Sequence, residues 1–309
     1  MGEGGGAQSP WRATATYLTY RGLAAAMGHL PEPVAQVAVG CVVRTLSWRG
    51  GPALAMNERH MRRILLSEAG VEPDPALVRR WSRRSYQAYG RYWLDGARLP
   101  YLGPAAVRAR MALEGDSEAN IRAAFAAGNG VVMALPHVGS WEWGGAWLAL
   151  QGWPMTAVVE RLEPERLFEW FVGQRQAMGL TAVPLGEGSS AALLRVLRQG
   201  GLLGLVSDRD LAGNGVEVEF FGERTTLPGG AATLALRTGA ALLPTMVYSG
   251  PGTWHTGVVD PPLDTTRRGS LRADVQRLTQ ELATCFEGFI RRRPEQWHLY
   301  QPNWPSDVP

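Results

Sequence analysis

Val131-Val132-Met133-Ala134-Leu135-Pro136-His137-Val138-Gly139-Ser140-Trp141-Glu142 carries a short apolar run into a helix-like segment, with a histidine and a carboxylate five positions apart. On one continuous helix five residues are about 500° of rotation, so the two side chains would point roughly 140° apart and share no face. The histidine therefore precedes the helix. Val131 to Leu135 reads as a buried strand, Pro136 ends it, and Ser140 is placed as the N-cap with Glu142 in the first turn. His137 then stands at the lip of the turn. A carboxylate in that turn is favoured by the helix dipole and is expected to orient the imidazole and stabilise its protonated form. Backbone N–H groups there suit developing negative charge. This is the layout of an acyl-transfer base, although a histidine beside a helix start also serves as a plain polar cap, and chemistry alone leaves both readings open.

The same alternation extends outward from about residue 105. Strands are expected near 130–135, 155–160, 181–185, 202–206, 242–248 and 254–259, and helices over Trp141 to Leu150, Glu163 to Met178, Ser189 to Arg198, Gly229 to Thr238 and Leu271 to Arg292. This is an α/β pattern, a mixed sheet flanked by helices. Upstream the period changes to three and four, as in Val34, Val37, Ala38, Cys41, Val42 and Leu46, and four helices are expected around Arg12 to Met27, Val34 to Trp48, Ala53 to Ala69 and Ala76 to Arg98. Pro31, Pro33, Pro52, Pro73 and Pro75 mark their boundaries. We read one domain, with a helical N-terminal region over 1–98 and an α/β core over 105–300. Residues 1–9 read as a disordered leader and Pro302 to Pro309 as a loose tail.

Of the 309 residues, 45% are hydrophobic and 19% charged, ample for a core. All 31 basic residues are arginine, and the net charge of +3 conceals an asymmetry. Residues 1–100 carry 13 arginines against 7 acids, or +6, and the remainder 18 against 21, or −3. The fourth helix combines Arg79, Arg80, Arg83, Arg84 and Arg91 with Trp81, Tyr86, Tyr89, Tyr92 and Trp93. That mix suits an interface with anionic lipid headgroups, and equally a solvated basic face over an aromatic core stripe. No nucleic-acid module is evident, so nucleic acid is not an expected partner. Cys41 and Cys285 stand alone, and neither a disulfide framework nor a zinc or other metal site is indicated. Pro33 to Val43, the longest apolar run near the start, is about half the ~20 residues a spanning helix needs, and the first 10 residues lack a basic n-region, so neither a transmembrane helix nor a signal peptide is expected.

His137 with Glu142 resembles the His-x4-Asp/Glu signature of the bacterial lipid A lauroyl and myristoyl acyltransferases, a family that includes phosphatidylinositol mannoside acyltransferases. Further segments agree in order: Val158-Val159-Glu160-Arg161, Phe171-Val172-Gly173-Gln174-Arg175 with Gly179, Ser207-Asp208-Arg209-Asp210-Leu211, Val218-Glu219-Phe220-Phe221-Gly222 and Pro294-Glu295-Gln296-Trp297. They span roughly residues 110 to 300. The Ser207 to Leu211 and Phe220 to Gly222 segments look most like the actinobacterial phosphatidylinositol mannoside branch. The resemblance implies an α/β sandwich around a partly parallel sheet. It implies a peripheral enzyme of the inner face of the plasma membrane that moves a palmitoyl group from acyl-coenzyme A to a mannose hydroxyl of a glycolipid acceptor. No cofactor is implied beyond acyl-CoA as co-substrate.

Acyl transfer from a thioester to a hydroxyl needs a base, donors for the oxyanion and a slot for the chain. His137 is the expected base and Glu142 its orienting carboxylate. Glu160, at a strand end, and Arg175, on the following helix, match family positions near the active site. Arg175 offers bidentate donors for phosphate, or else forms a surface pair. Asp208, Arg209 and Asp210 follow the strand Leu202 to Val206 at the same sheet edge, and at least one carboxylate there is expected on acceptor sugar hydroxyls. Trp141, Trp143, Trp147 and Leu148, spaced by Gly144, Gly145 and Ala146, give either an acyl-chain groove or plain core packing. Gly186-Glu187-Gly188-Ser189-Ser190 reads as a phosphate cradle or as a glycine-serine turn. A lysophosphatidate-type acyltransferase is the nearest rival, but Pro136 replaces the Asn usual before that His, and Leu227-Pro228-Gly229-Gly230 lacks the Glu of its Pro-Glu-Gly motif. A lipid A type transferase using acyl carrier protein, or a lipid-carrying protein without catalysis, are the other readings.

Overall fold

The computed structural model describes residues 10–308. Four helices lead: α1 (Pro10–His29), α2 (Glu32–Arg49), α3 (Pro52–Ala69) and α4 (Pro75–Arg98). There follow α5 (Pro104–Ala109), β1 (Met111–Leu113), α6 (Ser117–Ala126), β2 (Val131–Leu135), α7 (Trp141–Leu150), β3 (Met155–Val159), α8 (Glu165–Ala177), β4 (Thr181–Pro184), α9 (Ser189–Arg198) and β5 (Leu202–Val206). The chain continues through β6 (Val216–Phe220), β7 (Glu223–Leu227), α10 (Gly230–Thr238), β8 (Ala241–Ser249), β9 (His255–Val259) and α11 (Leu271–Arg292). The expected leader, residues 1–9, lies outside the described residues.

Seven strands form one sheet in the order β1-β9-β8-β2-β5-β3-β4. Every pairing is parallel except β8 with β9. The mixed, mostly parallel sheet flanked by helices is thus the architecture the sequence predicts. The chain leaves β2 for β3 and β4 on one side, returns to β5 beside β2, and later adds β8 on the other side. Strand order therefore reverses around β2, and the carboxyl ends of β2 and β5 lie at the kind of switch point where such sheets bind ligands.

β2 is buried along its whole length, as its unbroken apolar run requires of a strand covered on both faces. Val132 and Ala134 join the layer made with α9, α10 and α11; Val131, Met133 and Leu135 join the layer made with α5, α6 and α7. The six expected strands all form, within a residue at each end. β1, α5 and α6 are additions: three residues are too short for a pattern, and alanine-rich α6 shows little contrast between its faces. The Val218 to Gly222 motif is itself a strand and turn. It belongs to a β6–β7 hairpin apart from the main sheet, whose two-residue turn holds Phe221 and Gly222 at φ 52° and 75°, a twist matched to the flanking strands.

Two further expectations are corrected. Residues 302–308 are not a loose tail: Trp304 and Asp307 are buried, and Asp307 accepts hydrogen bonds from the backbone of Asn303 and Trp304. Ser140 occupies the N-cap position of α7, but its hydroxyl makes no capping bond and is buried without a partner. The backbone N–H of Ser140 instead donates to Val247 O. α1 and α2 bury little: Trp11, Leu18, Leu23, Val34, Val37, Val42 and Trp48 are exposed. No helix among the described residues is long and apolar enough to cross a membrane.

The turn after β2 is clamped between two chain segments. Gly139 donates to Gln296 O at 2.9 Å, and its own φ is 60°. A β-carbon there would lie 2.1 Å from Val247 O. Both constraints demand glycine, one for the left-handed backbone and one for space. Gly139→Ala is expected to destabilise the fold by at least about 2 kcal/mol, read as a lowered urea midpoint at unchanged slope. A midpoint within error of the parent would refute the clamp.

Candidate active site

β2 and β5 run parallel with Leu135 opposite Val206, and Ser207 N donates to Leu135 O at 2.8 Å. Two residues beyond each strand end stand His137 and Asp208, so the register itself sets them side by side. His137 Nδ1 lies 2.6 Å from Asp208 Oδ1, and the backbone N–H of His137 donates to Oδ2 at 2.9 Å. Trp297 Nε1 donates to the same oxygen at 2.7 Å. Asp208 is fully buried, whereas the His137 side chain is 38% exposed. A carboxylate that accepts from Nδ1 fixes the neutral tautomer, leaving Nε2 as the lone-pair nitrogen. Nε2 has no hydrogen-bond partner among the described residues.

Burial works against the charged imidazole, but the adjacent Asp208 charge and its hydrogen bond overcome this and raise the His137 pKa above the ordinary value. Burial likewise opposes ionisation of Asp208, and attraction to His137, with donation from His137 and Trp297, holds it below the usual carboxylate range.

The expected orienter, Glu142, does not hold the imidazole. It sits in the first turn of α7, nearly buried, where Oε1 accepts from Tyr92 Oη and Arg175 Nη2, each at 3.1 Å. Its other oxygen, Oε2, is buried without a partner. The physical reason is register: neighbouring strand ends are closer than the two ends of a turn that carries the chain into a helix. Glu142 acts on His137 only through space. Tyr92 is kept protonated, its pKa raised first by burial and then by the Glu142 charge, so it donates.

Asp208 is likewise not placed to meet a sugar, since its carboxylate is buried and takes three donors from the protein. Asp210 receives the N–H groups of Ala212, Gly213 and Gly215 and the Thr226 hydroxyl, and so ties its loop to the β6–β7 hairpin. Arg209 is half-buried and makes no hydrogen bond or ion pair among the described residues, and its charge opposes protonation of His137. Glu160 stands exposed just past β3, also without a partner there. Arg175, on α8, lies over the rings of Trp141 at 5.2 Å and Phe171 at 5.9 Å.

The four groove residues divide. Trp143 is buried and stacked on His255 at 4.1 Å, and Leu148 belongs to the sheet-facing core. Trp147 is half-buried against the same core. Trp141, beneath Arg175, remains at the site. The small gaps on α7 are filled: a β-carbon at Gly144 would meet Val247 and one at Gly145 would meet Met155 and Leu180. Core packing therefore takes these positions, because a helix pressed onto a sheet needs small residues where side chains from the strands rise.

Other neighbours escaped the sequence reading. His298 donates its backbone N–H to His137 O at 2.7 Å, and its ring lies 5.4 Å from Tyr89 and 5.3 Å from Tyr92. Burial, and then the His137 charge, push its pKa down to about 3, so it is neutral. Behind Trp297 lies His60, whose Nε2 is 3.2 Å from Asp307 Oδ2 and whose ring is 5.3 Å from that of Trp297. The only signal for Trp297 was its place in the closing motif. Nothing local marks His60, which is 237 residues upstream of it in the chain. Among the described residues no three His, Cys, Asp or Glu side chains gather to ligate a metal.

The mostly parallel sheet thus presents a strand-end histidine that is bound to a buried aspartate at one nitrogen and has no partner at the other among the described residues. Residues 12–306 match the bacterial lipid A biosynthesis acyltransferase family, and the chain belongs to it. It is an acyltransferase. Within that family it is similar to a phosphatidylinositol mannoside acyltransferase of Mycobacterium tuberculosis (strain CDC 1551 / Oshkosh), 36% identical over 298 residues, 96% of this chain and 90% of the relative. A phosphatidylinositol mannoside acyltransferase of Mycolicibacterium smegmatis is 36% identical over 282 residues, 90% of this chain and 88% of its own.

The geometry sets the direction of two pH effects. By NMR, the His137 imidazole should titrate above its ordinary ~6.5, and Asp208→Asn should bring it below that value, since desolvation then acts unopposed. An unmoved titration would break the link. Because the folded pKa is raised, His137 stabilises the fold below pH ~6.5, and this contribution fades as pH rises through the raised value. The stability advantage of the parent over His137→Gln should therefore shrink as pH rises from about 6 to 9.

Proposed function

We propose that the protein moves a long-chain acyl group, palmitoyl from acyl-coenzyme A, onto a mannose hydroxyl of phosphatidylinositol mannosides at the cytoplasmic face of the plasma membrane, with His137 as general base. The observation that carries the reading is the His137–Asp208 contact at the carboxyl edge of the sheet, which leaves Nε2 without a partner among the described residues. Nε2 takes the proton of the acceptor hydroxyl as its oxygen attacks the thioester carbonyl. The tetrahedral intermediate then expels the thiolate, which recovers the proton from the imidazolium. Asp208 holds the ring and stabilises the imidazolium, the role that the spacing alone assigned to Glu142. The first turn of α7 offers backbone N–H groups to the oxyanion.

Glu160 and Arg209 are the uncommitted polar groups for sugar or phosphate, and Arg175 is a further cation held in place by Glu142. The acceptor class follows from the similarity to the two mycobacterial relatives across most of the chain. Membrane association is supported by the exposed large apolar side chains of α1 and α2 beside a basic N-terminal region, a pairing suited to an anionic leaflet.

His137→Ala should lower transfer from palmitoyl-coenzyme A to phosphatidylinositol mannosides by roughly 10³-fold or more, with the circular dichroism spectrum unchanged. Retained turnover would refute the base. Activity depends on neutral His137, so kcat/KM should rise with pH through the raised imidazole pKa, and in Asp208→Asn that limb should shift to lower pH at a reduced plateau. Product on lipid A precursors or lysophosphatidate in place of the mannosides would keep the base and change the acceptor.

A further inference from the structure

Away from His137, between α3, α4 and the end of α11, lies a cleft of about 690 Å³. Five arginines line it, Arg84, Arg91 and Arg291 to Arg293, against two glutamates, Glu68 and Glu295. Three of the arginines are engaged. Arg91 pairs with Asp95 and donates to Gly250 O, Arg291 pairs with Glu287, and Arg292 pairs with Glu114. The Arg84 and Arg293 guanidiniums donate no hydrogen bond among the described residues: Arg84 rests on the Trp81 ring at 5.1 Å, and Arg293 on the Tyr248 ring at 5.3 Å, where it acts only through space on Glu114, the partner of Arg292. Arg84 and Gln87 also wall a second groove of about 500 Å³ with Arg79, Arg80 and Arg83, so the positive charge continues along α4.

Guanidiniums gathered in a concavity repel one another and focus a positive potential outward. The planar fork of arginine matches a phosphate group two bonds at a time, and the flat faces of Trp81 and Tyr248 hold two of these forks without spending their donors. We propose that this cleft binds a phosphate-bearing anion, with Arg84 and Arg293 as its direct contacts. It is a site distinct from His137 yet shares a wall with it: Gln296 lines the cleft, and its carbonyl receives the Gly139 N–H of the histidine turn. The nucleotide end of a thioester donor and the headgroup of an anionic lipid supply the same chemistry. The inference stands apart from the choice of acceptor, and its test reads binding, not turnover.

Titration of the full chain with inorganic pyrophosphate should show saturable binding, weakened roughly tenfold or more in Arg84→Gln/Arg293→Gln and within about twofold of the parent in Arg79→Gln/Arg80→Gln. Should the first variant unfold, Arg84→Gln alone, on an exposed stretch of α4, should still weaken binding at least about threefold. Displacement of pyrophosphate by ADP assigns a nucleotide source, and displacement by phosphatidylglycerol vesicles but not phosphatidylcholine vesicles assigns a headgroup; either supports the site. Absence of saturable binding at millimolar concentration, equal loss in both double variants, or displacement by none of these competitors overturns it.

Discussion

A carboxylate taken wholly out of water persists as an anion only when its charge is met from several directions. Asp208 meets this condition with three donors from two segments: the ring and the backbone N–H of His137, and the indole N–H of Trp297. Its own backbone carbonyl accepts from Asn303. Removing it would leave a tryptophan N–H and a backbone N–H buried and unpaired, as well as freeing the imidazole. One side chain thus joins the ends of two central strands to the C-terminal segment, and the basicity of His137 is a by-product of the same bonding.

The C-terminal segment reaches that hub because it is itself held from behind. His60 on α3 sets its ring 5.3 Å from that of Trp297 and bonds Asp307 and the Leu299 carbonyl, while Arg63 reaches Asp307 and lies 3.8 Å from the Trp304 ring centroid. The N-terminal helices therefore contribute in two ways. α3 buttresses the C-terminal segment that reaches Asp208, and α4 sends Tyr92 to Glu142, which in turn holds Arg175. An account confined to the α/β core would miss both supports.

The fold was largely legible because its central strands are apolar runs bounded by Pro and Gly, and because the helices between them are long enough to show their period. His137 was legible from the same punctuation. Its partner was not, since a five-residue spacing names a carboxylate along the chain and only strand pairing names the one across the sheet. Asp208 was singled out for its position after β5 but given a sugar to hold; the depth of burial that turns it inward leaves no mark in Ser207-Asp208-Arg209-Asp210. The tryptophan-rich α7 illustrates the converse. Tryptophans and glycines in alternation describe a groove and a close-packed interface equally well, and only the positions of Val247, Met155 and Leu180 decide for packing. The C-terminal residues read as a tail because Pro, Asn and Ser punctuate them, yet Trp304 and Asp307 are among the more deeply buried side chains.

The most direct test of whether His137 and Asp208 act as one base is a double-mutant cycle on acyl transfer, comparing His137→Ala, Asp208→Asn and the double variant. A coupled pair predicts that the double variant is no slower than His137→Ala alone, because Asp208 has nothing left to orient or stabilise. Losses that multiply, with Asp208→Asn costing the same factor whether or not the imidazole is present, would contradict it and return the question of the orienting carboxylate to Glu142.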